Sequence, residues 1–417
     1  MSKLKELLET HCPDGVEYNQ IGEICHILDA QRKPISKSQR VKGQFPYYGA
    51  NGIQDYVADY IFNGTFLLVG EDGSVINKDN TPVLNWAVGK IWVNNHAHVL
   101  TAKGSNSLRY VYYALQIQDV SKIVRGTPPK INQENLKNIK IPLPPPPVQE
   151  EIVKILDRFA EYAAELQAEL QARKEQYEYY RNLLLTFNPS ACGCGTDGEQ
   201  EIKVTTWGGH SYEIAWKTMG EIGKFFGGLT GKSKSDFTNG NARFISYMNV
   251  YTNIALNQHL EEFVYIGKDE KQNTLEYGDA IFTGSSETPD ECGMSSVVTT
   301  VPSEPLYLNS FCFGYRLENK SLFVPDFLKH LLRSKSVRSQ IAKTANGVTR
   351  FNVSKALFAK IVLPIPPYEL QMKIASILDR FETLVNDLTQ GLPAEIAAVK
   401  EQYEYYRNKL LTFKKAS

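Results

Sequence analysis

The sequence predicts an α+β chain built as two unequal copies of one plan, in which a globular domain of mixed strands and helices is followed by one long helix. Three observations predict it. Residues Gln149 to Phe187 contain neither glycine nor proline, and their apolar residues recur at alternating spacings of three and four, the pattern of one long amphipathic helix. The segments ILDRF (Ile155 to Phe159) and KEQYEYYRN (Lys174 to Asn182) both return, at Ile377 to Phe381 and Lys400 to Asn408, so the chain carries an internal repeat. The stretches between these matching frames are unlike each other and rich in strand-forming residues.

The first copy opens with VEYNQIGEI (Val16 to Ile24). TFLLVG (Thr65 to Gly70), VLNWAVGKIWVNN (Val83 to Asn95) and HVLTA (His98 to Ala102) read as strands, and LRYVYYALQ (Leu108 to Gln116) as a helix. The copy closes with a turn, GTPPKIN (Gly126 to Asn132), and a proline-stiffened hinge, IPLPPPP (Ile141 to Pro147), which holds the backbone extended ahead of the long helix. The second copy opens with IAWKTMGEI (Ile214 to Ile222). ARFISYMNV (Ala242 to Val250), DAIFTG (Asp279 to Gly284), SSVVTTV (Ser295 to Val301) and YLNSFCFGYRL (Tyr307 to Leu317) read as strands, Asp326 to Ala345 as one helix, NGVTRFN (Asn346 to Asn352) as the turn and LPIPP (Leu363 to Pro367) as the hinge. The expected domains are 1–145 and 205–362, with long helices over 146–188 and 363–417 and a linker over 189–204.

In the first long helix Ile152, Leu156, Phe159, Ala163, Leu166, Leu170, Tyr177, Tyr180, Leu184 and Phe187 form a seam, interrupted where Arg173 takes a core position. At 1.5 Å per residue it spans roughly 60 Å, too long to bury its stripe inside a small domain. The repeat supplies a partner within the same chain. The second helix has four more residues between ILDRF and KEQYEYYRN, among them Gly391-Leu392-Pro393, a stop-and-restart signal. AAEL (Ala163 to Leu166) and QAEL (Gln167 to Leu170) are tandem four-residue units; each adds about 6 Å of helix and nearly preserves the stripe.

Composition sets outer bounds. A chain of 417 residues, 42% hydrophobic, accommodates two to four packed domains. There is no run of eighteen apolar residues, and MSKLKELLETHCPDG lacks an apolar signal core, so the cytoplasm is the expected compartment. The six cysteines (Cys12, Cys25, Cys192, Cys194, Cys292, Cys312) form neither a disulfide framework nor a paired C-x-x-C pattern and read as reduced thiols. Formal net charge is zero, with a slight basic excess in each domain that offers weak support for phosphate contacts.

Enzyme signals fail on spacing. GGLTGKS (Gly227 to Ser233) resembles a phosphate loop, but Phe226 stands where its first glycine is required. His96-Ala97-His98 alternates along an expected strand without evident further metal ligands, and Glu71-Asp72-Gly73 reads as a turn of solvated acids. No methyltransferase motif of the N-P-P-[FY] type is present. The expectation is a protein without catalytic residues, cofactor or metal of its own.

The duplicated hinge and helix, IPLPPPPVQEEIVKILDRF (Ile141 to Phe159) and LPIPPYELQMKIASILDRF (Leu363 to Phe381), with the twin KEQYEYYRN segments, resembles the specificity subunit of type I restriction-modification systems over essentially the whole chain. The tandem AEL units resemble the central spacer of one branch of that family. The resemblance implies two target recognition domains, each reading one half of an asymmetric bipartite DNA site, joined by an intramolecular antiparallel coiled coil with a pseudo-two-fold repeat. It implies that the helices set the unread spacer and dock two methyltransferase subunits. S-adenosylmethionine would sit on those partners, and ATP and Mg²⁺ would serve translocating endonuclease subunits. A coiled-coil scaffold with protein-binding inserts is the alternative, and a standalone DNA-modifying enzyme a third reading.

Candidate DNA contacts are polar or basic residues on loops. In the first domain these are Arg32, Lys33, Lys37, Arg40 and Lys42, then Tyr47, Tyr48 and Asn51, with Lys130 in the turn before the hinge. In the second they are Thr230, Lys232, Ser233 and Lys234, then Tyr247 and Asn249, with Thr349 and Arg350 in the corresponding turn.

Overall fold

The computed structural model describes residues 2–187, 203–207, 209–259, 261–387 and 390–416. It divides into two compact units, Met1–Gln167 with Glu395–Ser417, and Ala168–Ala394. Cys192 and Cys194, with most of the expected linker, lie outside the described residues. Among the described residues no helix is long and apolar enough to cross a membrane.

The first unit runs through helix α1 (Ser2–His11), strand β1 (Tyr18–Gln20), the single turn α2 (Ile21–Ile24) and strands β2 (Cys25–Ile27), β3 (Lys42–Gly49), β4 (Gly52–Val57), β5 (Phe62–Gly70), β6 (Leu84–Val93) and β7 (Ala97–Ala102). Helices α3 (Leu108–Leu115) and α4 (Gln133–Lys137), strand β8 (Lys140–Pro142) and the 39-residue α5 (Pro146–Leu184), which belongs to the second unit from Ala168 on, follow. Six strands form one sheet in the order β2-β7-β5-β6-β3-β4, antiparallel except where β3 meets β6. Strand β5 reads as a continuous apolar run because it is covered on both faces. Leu67 and Val69 enter the core beneath α3, and Phe66 and Leu68 enter a separate cluster with Ile91 and Val99, the two-residue alternation of a pleated strand.

The second unit runs β9 (Lys203–Trp207), β10 (His210–Thr218), α6 (Met219–Ile222), β11 (Gly223–Gly227), β12 (Ala242–Ile245), α7 (Tyr247–Thr252), β13 (Phe263–Val264), β14 (Ala280–Thr283), β15 (Ser285–Ser286), β16 (Ser295–Val297), β17 (Leu306–Leu308) and β18 (Cys312–Leu317). Helices α8 (Pro325–Arg333) and α9 (Lys335–Ala342), strands β19 (Ala345–Asn346) and β20 (Phe351–Val353), helix α10 (Lys355–Phe358), strand β21 (Val362–Ile365) and helix α11 (Tyr368–Asn386) complete it. Among the described residues its strands form four small sheets, β21-β10-β9, β11-β18-β14-β16, β13-β12-β17 and β15-β20-β19.

The matching frames fold alike. In each copy the opening segment pairs antiparallel with the hinge, Gln20 opposite Lys140 and Thr218 opposite Val362. The following turn is closed by a capping box, Gln20 with Glu23 and Thr218 with Glu221. Helix α5 begins on a proline, where a missing N–H costs nothing. Within the first unit Tyr406, from the C-terminal helix (Leu392–Leu411), stacks on Phe159 at 5.5 Å between ring centroids. Within the second unit Tyr180 stacks on Phe381, also at 5.5 Å. Each KEQYEYYRN therefore packs on the ILDRF of the other copy. The chain ends also meet, since the Val16 N–H donates to the Lys414 carbonyl (2.9 Å) and Leu410 and Leu411 are buried in the core that contains Leu4.

Several elements differ from the sequence reading. The expected helix over Asp326 to Ala345 is two, because Ser334 is extended and caps α9, with the Arg338 N–H on its carbonyl. ARFISYMNV is a strand only to Ile245; the Ser246 hydroxyl accepts the Asn249 N–H and starts α7. YLNSFCFGYRL contributes to two strands in different sheets. Strands β3 and β4 occupy a stretch read as loop. Helix α11 ends at Asn386 and the C-terminal helix begins at Leu392. Gly391 lies against the carbonyls of Thr383 and Asp387, where a Cβ would come within 2.6 and 2.8 Å.

Deleting residues 410–417 removes two leucines, each contributing about 1.5–3 kcal/mol by burial, together with the Val16 bridge. The expected outcome is faster amide exchange around Leu4 to Val16 with exchange in β14 and β18 unchanged, read by hydrogen-exchange mass spectrometry.

Candidate nucleic-acid interface

In each unit a central strand runs into a glycine, the last residue of β5 in the first and the residue after β14 in the second, and the next residue meets the turn before the hinge. In the first unit that residue is Glu71, after Gly70. Its carboxylate takes Arg32 Nη1 at 2.5 Å and Lys130 Nζ at 3.1 Å. Two of the sequence-derived cations thus converge on one acid. Arg32 also donates to the Ala97 carbonyl (2.8 Å) and lies 3.5 Å from Asp29, so its largely buried guanidinium is committed inside the domain. Asp29 in turn accepts from His98 Nδ1 (2.6 Å), Gln133 Nε2 (3.0 Å) and the Val99 N–H (3.1 Å). Burial opposes its ionisation, but the bonds from His98 and Gln133 and the Arg32 charge hold its carboxyl below the usual carboxylate range.

The rest of the first loop divides between anchors and exposed cations. Arg40 lies over the Tyr47 ring at 4.2 Å, pairs with Asp55 at 3.3 Å and donates to the Ile35 carbonyl. Tyr47 and Tyr48 lie in β3 and are buried; the Tyr47 hydroxyl accepts the Ile35 N–H at 3.0 Å. These three stabilise the loop's shape. Lys33, Lys37 and Lys42 are exposed, with no salt bridge among the described residues, and Asn51 is exposed in the β3–β4 turn beside Gly52, whose φ of +99° suits glycine.

In the second unit the corresponding residue is Ser285, after Gly284, which follows β14. Arg350 donates to the Ser285 hydroxyl from Nε (3.1 Å) and Nη2 (2.9 Å), and the Tyr247 hydroxyl donates to the Ser285 carbonyl (2.9 Å). Two candidates about a hundred positions apart in sequence therefore meet at one residue. Thr349 is exposed beside Val348, which is 90% exposed at the tip of the β19–β20 hairpin. Asn249 is buried instead: its Nδ2 donates to the Asn257 carbonyl (2.7 Å) and its Oδ1 accepts the Asn257 N–H and Asn253 Nδ2 (both 3.1 Å). It staples the loop after α7.

Gly227 to Ser233 leads into a 3-10 turn, not an α-helix. Lys232 bridges Glu270 and the Tyr265 carbonyl, both at 2.6 Å, and Ser233 caps the turn through Asp236 (2.7 Å). The Thr230 N–H donates to Gln272 (3.1 Å), and Lys234 is exposed with no salt bridge among the described residues.

Sequence reasoning missed Ser285 and Arg333. Arg333 is a partly buried cation that donates to the carbonyls of Ser295, Val250 and Tyr251 at 2.7–3.1 Å and braces α7 from behind; burial pulls its pKa down to about 10. The alignment of LLVGE with IFTGS was the available signal for Ser285. Arg333 offered none, since its partners are backbone carbonyls.

Among the described residues two clusters have metal-ligand composition, Asp29, Glu71 and His98, and His330, Asp379 and Glu382. Each already contains its counter-charge. Arg32 and Lys130 sit on Glu71, and Lys329 lies 2.9 Å from Asp379 and 3.0 Å from Glu382. Such donor sets read as ion-pair networks, because a divalent cation would have to displace a bound ammonium or guanidinium. His96 pairs with Asp72 and is not a member of the His98 cluster. The geometry as a whole presents loops braced from within and rimmed by exposed lysines, suited to phosphate contact.

Comparisons with known proteins agree across the chain. The model of the type I restriction modification DNA specificity domain matches residues 13–175 and 213–398. A Haemophilus influenzae protein provisionally named a type I restriction enzyme specificity subunit is 33% identical over 428 residues, 98% of each chain. An Escherichia coli type I restriction enzyme specificity subunit is 32% identical over 321 residues, 74% of this chain and 71% of that one. Among solved structures, a type I restriction-modification S subunit from M. genitalium has a TM-score of 0.54 at 15% identity, covering 95% of this chain and 96% of that one, a likeness of fold.

The Lys232–Glu270 clamp predicts a pH dependence. Hydrogen bonds from Lys232, the Gly267 N–H and Gln272 hold Glu270 at about 2, below its ordinary 4.5. A depressed carboxylate contributes above its ordinary value and loses that contribution as pH falls toward the depressed one. Carboxyl NMR titration is expected to show Glu270 ionised well below pH 4.5, and Lys232→Met to return its midpoint toward the ordinary value.

Proposed function

Since this chain belongs to the family of type I restriction-modification DNA specificity subunits, we propose that it addresses a methyltransferase and endonuclease complex to an asymmetric bipartite DNA site without contributing catalytic residues. Each globular domain reads one half-site. The long helices pair as an intramolecular antiparallel coiled coil, set the unread spacer and dock two methyltransferase subunits, which carry S-adenosylmethionine. ATP and Mg²⁺ serve the endonuclease subunits.

The observation that carries this reading is the reciprocal packing of the repeated frame. Phe159 meets Tyr406 in one unit and Tyr180 meets Phe381 in the other, so each copy's helix completes the other copy's joint. The frame is duplicated and the inserts differ, as expected of two readers for two different half-sites. The exposed Lys33, Lys37, Lys42 and Lys234 supply phosphate contacts, and Asn51, Thr349 and Arg350 stand where base edges are read. Lys130, half exposed on Glu71, steadies the turn behind them.

Deleting Gln167 to Leu170 shortens the ruler by about 6 Å, somewhat under two base-pair steps. The expected outcome, read by methylome sequencing of cells expressing the variant complex, is a spacer shortened by one or two base pairs with both half-sites unchanged. An altered half-site would contradict the ruler, and a protein-binding scaffold would yield no sequence preference.

Replacing Lys37 and Lys42 by alanine is expected to weaken binding on all sequences alike. The slope of log affinity against log salt should become shallower by about 0.9 for each phosphate that is no longer neutralised, measured by fluorescence anisotropy on cognate and scrambled duplexes.

A further inference from the structure

A buried glutamine occupies the same place in each copy, and neither belongs to the candidate interface. Gln149 and Gln371 are 0% and 1% exposed, in the first turn of the long helices. Gln149 Oε1 accepts the N–H of Ser107, the residue that caps α3, at 2.9 Å; its Nε2 donates to the Pro144 carbonyl at 2.8 Å and reaches Asn106 Oδ1 at 3.5 Å. Gln371 Oε1 accepts the N–H of Val324, the residue preceding α8, at 2.8 Å; its Nε2 donates to the carbonyls of Pro366 (2.8 Å) and Leu322 (3.0 Å). Two dissimilar inserts thus present the same backbone group to the same amide. One side chain joins the hinge, the long helix and the insert.

Eight residues on, about 12 Å along the helix, the aspartate of each ILDRF makes a second attachment to the same insert helix. Asp157 holds Arg109 (2.8 Å) and Tyr113, and Asp379 holds Lys329 (2.9 Å) and His330 (2.8 Å). One attachment would leave a pivot, whereas two along one helix fix its direction. An apolar residue of equal volume would fill the space, and a buried amide is costly unless its bonds are made. Its recurrence in both copies therefore points to a directional role.

We propose that Gln149 and Gln371 are positioning residues that fix the direction in which each long helix leaves its recognition domain, and so determine how strictly the protein discriminates spacer length. The proposal rests on the bipartite reading above. One extra base pair moves the second half-site by about 3.4 Å and rotates it by roughly 35°. With rigid joints the duplex must deform to meet both readers; with loosened joints the protein absorbs the misfit.

The test uses the full chain, reconstituted with its methyltransferase, carrying Gln149→Met, Gln371→Met or both. Substrates keep the cognate half-sites and vary the spacer by one base pair either way. The native protein is expected to discriminate roughly tenfold or more and the variants within about threefold, with half-site base preference unchanged. Amide exchange at Ser107 or Val324 should quicken while β5 and β14 stay protected. Native spacer discrimination with the latch amide exchanging freely overturns the proposal, and so does parallel loss of spacer and base preference in a folded variant. Should a glutamine variant fail to fold, Asp157→Asn weakens the second attachment and must relax spacer discrimination if the proposal holds; unchanged discrimination overturns it. A native protein with no spacer optimum sinks the bipartite reading instead. The latch is then decided by exchange alone, with faster exchange in the first turn of α5 supporting it and unchanged exchange overturning it.

Discussion

The stacking of each KEQYEYYRN tyrosine on the phenylalanine of the other copy's ILDRF is the contact on which the rest of this protein depends. A helix with one apolar stripe and tens of ångströms of length is too long for one small-domain core: Val148, Ile152 and Leu156 enter the core that contains Leu67 and Tyr110, Tyr177 enters the core that contains Phe282 and Phe327, and the stripe between these ends needs other apolar cover. Here the stripe is completed twice, by Phe159 with Tyr406 and by Tyr180 with Phe381. The neighbouring tyrosines extend each contact into a domain: Tyr403 donates to Gln116 at 2.9 Å, and Tyr177 lies 3.0 Å from His330 Nδ1. The repeated segments are therefore constrained chemically on two sides, by the helix partner and by the domain. That double constraint explains why they match while the inserts do not.

The same logic operates at the hinges. Proline removes donors and resists helix, so the opening segment pairs with the hinge in a short antiparallel ladder at the same register in both copies. The helix then starts at once. Val148, Ile152 and Leu156, and their counterparts Leu370, Ile374 and Leu378, are fully buried at the joint, with the polar Gln and Asp attachments between them. Apolar burial supplies most of the joint's stability, and the directional bonds supply its geometry.

Within the candidate interface loops, charge serves two purposes. Arg32, Arg40 and Lys232 are drawn inward, each satisfied by carboxylates or carbonyls, because a buried cation without such partners would be prohibitively costly. They hold the loops in shape. Lys33, Lys37, Lys42 and Lys234 remain outside. A loop braced by its own buried cations presents the exposed ones at lower entropic cost on binding.

The sequence alone determined the duplicated plan, the long amphipathic helices, the hinges and the interruption near Gly391, because these rest on periodicity, proline placement and repetition, which are local or self-referential signals. It also located the loops that carry exposed lysines. Only the tertiary structure decided which members of those loops are anchors. Whether Tyr47, Asn249 or Lys232 faces solvent depends on Ile35, Asn257 and Glu270, groups that folding brings near and that no local pattern marks. The convergence of Arg350 and Tyr247 on Ser285, and of Arg32 and Lys130 on Glu71, was invisible for the same reason. Residues far apart in sequence interact only after strands have been ordered in a sheet, and that order is set by the packing of the whole domain.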